Sequence, residues 1–165
     1  MIIDELEKKY SMYAKENSLE ISLDELDAIF FIRDYVQREG YISNFFGRMI
    51  CYRIAERYKQ WILFIHKLVM PNPGSLLDQQ ESILFENKDE LVVLLHKLLE
   101  LKTRYTLIGL DPKISSEVQF IRDSVSLWKS ISPDLLRYVK SINTMWKEKK
   151  QQSSSSFKER MAYSG

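Results

Sequence analysis

Helix-breaking residues are scarce in this chain, and their placement constrains its fold more than any other feature. Among 165 residues there are 5 Gly and 4 Pro, and the internal ones fall at Gly40, Gly47, Pro71, Pro73, Gly74, Gly109, Pro112 and Pro133. A β-sandwich or barrel needs a turn signal about every 8–12 residues, which so few breakers cannot supply. The intervals between them are helix-length, and no alternating strand pattern runs for more than a few residues. The expected fold class is therefore all-α, an up-and-down antiparallel helical bundle of five to six helices.

The punctuation assigns the helices. The first is expected over residues 2–16. The second opens at Ser22, whose hydroxyl and Glu25 have capping-box spacing, and stops at Gly40. The third is the long central helix, capped by Ser43 or Asn44 and spanning about 43–70, where Pro71-Asn72-Pro73-Gly74 ends it. Residues 75–88 are ambiguous, with one short helix as the helical option. A fourth covers 89–108. The fifth (115–131) and sixth (133–150) are expected to meet at Ser132-Pro133, with Pro133 in the first helical position.

Helical wheels agree with this division. Ile50, Ile54, Tyr58, Trp61, Ile65 and Leu68 share a charge-free arc of the third helix, and Cys51 falls inside it, which predicts a buried, inert thiol. Leu91, Leu94, Leu95, Leu98, Leu99 and Tyr105 spread over a wider arc of the fourth. Phe120, Ile121, Val125, Trp128 and Ile131 gather on one side of the fifth. One domain over 1–150 is expected, followed by a Ser-rich mobile tail over 151–165 that carries Phe157, Met161 and Tyr163.

Candidate chemistry is thin. No glycine opens a G-x-x-x-x-G-K or G-x-G-x-x-G phosphate cradle, and there is no G-x-S-x-G elbow. A di-iron bundle uses Glu three residues before His, whereas Leu63 and Val93 occupy those positions before His66 and His96. No metal, no cofactor and no catalytic residue is assigned. The nearest approach to an acid–base pair is His96 with Glu100, four apart on one helix, which leaves an enzyme site around them as a third option. The N-terminus, Met1-Ile2-Ile3-Asp4-Glu5, is acidic and lacks the basic start of a secretory signal. The most apolar stretch, 61–70, is too short to cross a bilayer, so no membrane role and a cytoplasmic location (nuclear if eukaryotic) are expected.

Charge is informative by segment. The net is +1 overall, but residues 1–40 carry −5, 41–70 carry +4, 71–111 carry −3 and 112–165 carry +5. The bland explanation is that acidic first helices lie against basic later ones. A nucleic-acid interface would instead use Arg53, Arg57 and Lys67 of the third helix with Arg137, Lys140 and Lys147 of the sixth, contacting phosphates. Arg33 and Lys102 stand out because each falls in a mostly apolar arc.

A second stripe on the third helix, Phe45, Met49, Tyr52, Leu63 and Met70, lies roughly opposite the main arc. Phe, Met and Tyr are enriched at interfaces. The leading expectation is a non-catalytic protein–protein interaction module, a homodimer or a small subunit of a larger intracellular assembly. An accessory nucleic-acid-binding protein is the alternative.

Overall fold

The computed structural model of the chain describes the backbone of residues 1–85 and 88–162 and the side chains of those up to residue 153. The described residues form seven helices and no strand: α1 (Ile2–Glu16), α2 (Leu23–Phe30), α3 (Ile32–Glu39), α4 (Phe46–Val69), α5 (Leu76–Ile83), α6 (Asp89–Leu110) and α7 (Ile114–Ala162). The chain is an all-α bundle.

Ser22 caps α2 as expected, its Oγ accepting the Glu25 N–H at 3.1 Å. The reciprocal half of the capping box gives way to a longer-range pair, with Glu25 binding Lys129 of α7 at 2.6 Å. The expected single helix to Gly40 is broken at Phe31, whose φ of 54° is left-handed. Two captures hold that break. Arg53 of α4 donates to the Phe30 carbonyl at 2.8 Å, and Asp27 accepts the Arg33 N–H at 2.7 Å. Gly40, at φ 75°, then ends α3.

The expected start of α4 at Ser43 or Asn44 moves to Phe46. Ser43 Oγ accepts the Phe45 N–H within the connection instead. The two expected helices at 115–131 and 133–150 are in fact one, because α7 runs through Pro133. A proline inside a helix lacks one backbone donor and crowds the carbonyl four residues earlier, a cost of about 3 kcal/mol. Burial of Ile131 and Leu135 on either side holds both halves to the same core face, and this tertiary seating outweighs the local stop signal. The ambiguous stretch resolves as α5, capped by Ser75 Oγ accepting the Asp78 N–H at 3.2 Å.

The long helix α4 is central and touches all six others. Tyr58 donates to the Ser124 carbonyl at 2.6 Å, and Trp61 meets Trp128 at 5.9 Å between ring centroids. The constant offset means α4 and α7 run parallel. Tyr105 meets Phe120 at 5.9 Å and Arg137 binds Glu90 at 3.2 Å, so α6 runs antiparallel to α7. The core is thus up-down-up: α4, α6, α7. Its deepest side chains include Ile50, Ile54, Ile65, Leu98 and Ile121.

The α1–α3 segment covers one side of this core. Its carboxylates leave a net −5 over residues 1–40 but pair mostly within the segment, Arg33 binding Asp24 at 2.6 Å, Asp27 at 3.1 Å and Glu7 at 3.2 Å. That resolves the odd placement of Arg33 in an apolar arc. The Lys129–Glu25 pair is a direct link from the acidic helices to the basic C-terminal segment.

Candidate interaction surface

The first turns of α4 enter beside the last turns of α6 and the end of α3, and these elements enclose a groove of about 640 Å³. Gly40 permits the left-handed turn that starts the connection. That connection then lifts Tyr41 and Phe45 onto the lip, where they are 60% and 64% exposed. Tyr35, Tyr52 and Tyr105 line the walls with Arg38, Arg48 and Arg53.

The arginines lie on the rings. Arg48 sits over Phe45 at 4.5 Å, and Arg53 and Arg38 sit over Tyr35 at 5.7 and 5.9 Å. Tyr35 and Tyr52 pack against each other at 6.1 Å. Burial, with Arg57 and Arg38 nearby, lowers the pKa of Arg53. Burial likewise raises that of Tyr35. The groove is therefore an aromatic surface with cations already stacked on it, also carrying the carboxylates Glu39 and Glu56.

Near Arg48 lies a buried polar cluster. Arg48 Nε donates to Glu117 Oε1 at 3.2 Å, and Glu117 is only 5% exposed. The Glu117 carboxylate and the Tyr13 hydroxyl both crowd the position where any residue but glycine at 47 would place a Cβ. The Tyr13 hydroxyl is buried without a hydrogen-bond partner. Burial raises the Glu117 pKa, with the Arg48 hydrogen bond and charge working against it. Burial also raises the Cys51 thiol, whose Sγ donates to the Glu117 carbonyl at 3.6 Å, and a protonated, enclosed thiol is a poor nucleophile.

The five residues of the second stripe do not form one surface. Phe45 and Tyr52 are exposed and line the groove. Met49 lines it too but is a buried core residue, 7% exposed, because α4 has neighbours on this side as well. Leu63 and Met70 are exposed and lie outside the groove, beyond Gln60 on α4.

The basic residues separate in the same way. Arg53 is committed to the Phe30 carbonyl and Tyr35. Arg57 donates to Gln60 at 2.8 Å and lies over Phe31 at 4.7 Å. Arg137 is shared between Glu90 and Asp134. Lys67, Lys140 and Lys147 are exposed, and Lys140 lines a different groove on α7. His96 is exposed, and Glu100 gives its carboxylate to Arg104 at 3.0 Å. No cluster of three or more metal-ligating side chains occurs among the described residues, and none of the described helices is long and apolar enough to cross a membrane. The side chains of Phe157, Met161 and Tyr163 lie outside the described residues.

Sequence reasoning missed Tyr35, Tyr41, Tyr105 and Arg38 as members of this surface. Tyr41 and Phe45 carried a usable signal, since two large aromatics in a short connection after a glycine have little reason to be there for packing. Tyr105 carried none, because its spacing assigns it to the apolar arc of α6.

The chain matches no family model, no curated protein and no solved structure. The geometry alone carries the functional reading.

Proposed function

We propose that the chain is a non-catalytic helical interaction module, a small subunit that docks a protein partner into the groove at Phe45. The observation that carries this is the exposure of Tyr41 and Phe45 at the lip, beside arginines stacked on the rings. Tyr and Arg are over-represented among residues that dominate interface energetics, and side chains held in place before binding lose little entropy on it. A fitting partner presents an apolar or aromatic anchor next to a carboxylate, which Arg38 can meet. The test is a photo-crosslinking amino acid placed at Tyr41 and, as control, at Lys102 in the source cells. The expected result is a discrete crosslinked partner from position 41 only, lost on Phe45→Ser with the thermal melt unchanged. Equal crosslinking from both positions would remove the groove as a binding site.

A second reading, accessory nucleic-acid binding, is favoured by the exposed lysines at 67, 140 and 147 and by aromatic faces beside Arg38 and Arg48. Single-strand binders combine such stacking platforms with cations. Fluorescence anisotropy with labelled oligonucleotides at two salt concentrations tests it. Binding that weakens steeply with salt and falls on Lys140→Ala with Lys147→Ala supports this alternative; no binding at low salt rejects it.

A further inference from the structure

The helix α5 is seated inside out. Its polar residues face the protein: Ser82, 3% exposed, donates to the Leu68 carbonyl at 2.9 Å, Glu81 accepts from Trp146 Nε1 at 3.0 Å, and Gln80 accepts from Lys149 at 2.7 Å. Its apolar residues face outward, with Leu76, Leu77 and Ile83 each more than half exposed. An amphipathic helix ordinarily does the reverse. The outward face runs through Leu84 into a groove of about 670 Å³ on α7, lined by Leu136 and Met145 and edged by Arg137 and Lys140.

We propose that α5 and this α7 groove form a self-association surface, in which two copies of the chain dock reciprocally, each placing α5 on the other's groove. Three observations select a second copy as the occupant. Charge is complementary at one pair, because α5 offers Asp78 and no cation, its other carboxylate Glu81 being turned inward to Trp146, whereas the groove offers Lys140 beside Glu148 and an Arg137 already held by Glu90 and Asp134. The helix and groove are contiguous through Leu84, so a two-fold axis near that residue brings each helix onto the other copy's groove, the self-complementary arrangement a closed dimer requires. The area is also of the right order. Leu76, Leu77, Ile83, Leu84 and Leu136 together expose on the order of 300 Å² of apolar surface. Doubled, this is roughly two-thirds of the apolar part of a standard interface of about 1,600 Å², which fits a reversible dimer. This surface is separate from the Phe45 groove and does not depend on the function proposed for it.

Sedimentation velocity of the full chain from about 2 to about 200 µM tests the proposal, a range in which a micromolar dimer dissociates. The expected mass rises from 19.6 kDa towards twice that value. Ile83→Glu, at an exposed position, should stay monomeric throughout with an unchanged melt. Asp78→Lys should weaken the dimer, and Asp78→Lys with Lys140→Asp should restore it. Phe45→Ser should leave it intact, which separates this surface from the partner groove. A wild-type chain that stays monomeric at the highest concentration overturns the proposal, as does a dimer that survives Ile83→Glu. Binding of a solution monomer to phosphatidylserine vesicles, lost in Ile83→Glu, would assign the face to lipid and overturn it equally.

Discussion

The carboxylate of Glu117 occupies space that exists only because residue 47 has no side chain. That dependence spans 70 positions, so no local pattern reveals it; Ile114-Ser115-Ser116-Glu117 looks like the solvated first turn of any helix. Burial without full compensation has a consequence in pH. The folded-state pKa of Glu117 is raised, so between the unfolded value near 4.3 and the folded one the native chain holds a proton that the unfolded chain releases. The residue's contribution to stability therefore declines as pH rises through that window. Glu117→Gln keeps an acceptor for Arg48 and cannot ionise. Urea unfolding from about pH 4 to about pH 7 should show the variant gaining on the wild type as pH rises; a pH-independent gap would mean Arg48 offsets the burial in full. Met49 illustrates the same difficulty. Its wheel position opposite the main arc marks it as a surface residue only if the helix has one buried side, and α4 is surrounded.

At the level of helices, periodicity marks where the long helical stretches lie, while the breaks within and between them depend on distant groups that no local pattern shows. The break at Phe31 leaves no mark in the periodicity of residues 23–39, because its captors include Arg53 on α4. Pro133 carries the opposite lesson: a strong local stop is overridden by the buried residues on both sides of it. The Phe31 backbone offers a direct check. A left-handed residue other than glycine costs roughly 1–2 kcal/mol, whereas in a helix interior glycine is the worse residue by about 0.5–1 kcal/mol. Phe31→Gly should accordingly be more stable than Phe31→Ala by about 1 kcal/mol, measured by chemical denaturation. The ordinary helical order, alanine above glycine, would show that residue 31 is helical in solution.

For the molecule as a whole, all-α architecture and a central helix could be read from the sequence, because both follow from the spacing of apolar residues in long uninterrupted stretches. The groove at Phe45 could not, since it is assembled from α3, α4, α6 and a connection. The packing implies a hierarchy of local stability. Amide hydrogen exchange, at concentrations too low for self-association, should be slowest in α4 between Ile50 and Ile65 and fastest, among the helices, in α5, where Ser82 is the one buried residue. Equal protection of α5 and α4 would contradict that hierarchy. The up-down-up order also has an electrostatic meaning. Because α4 and α7 are parallel and α6 opposes them, the N-termini of α4 and α7 meet the C-termini of α6 and α3 at the end that holds Phe45 and Arg48. Aligned peptide dipoles place roughly +0.5 of an elementary charge at each N-terminus and −0.5 at each C-terminus, so the two of each sign offset one another and the field at the groove is left to its side chains, Arg38, Arg48 and Arg53 against Glu39 and Glu56. An acidic partner would be drawn towards the groove by that excess of one positive charge before any contact forms, a pull that weakens with ionic strength.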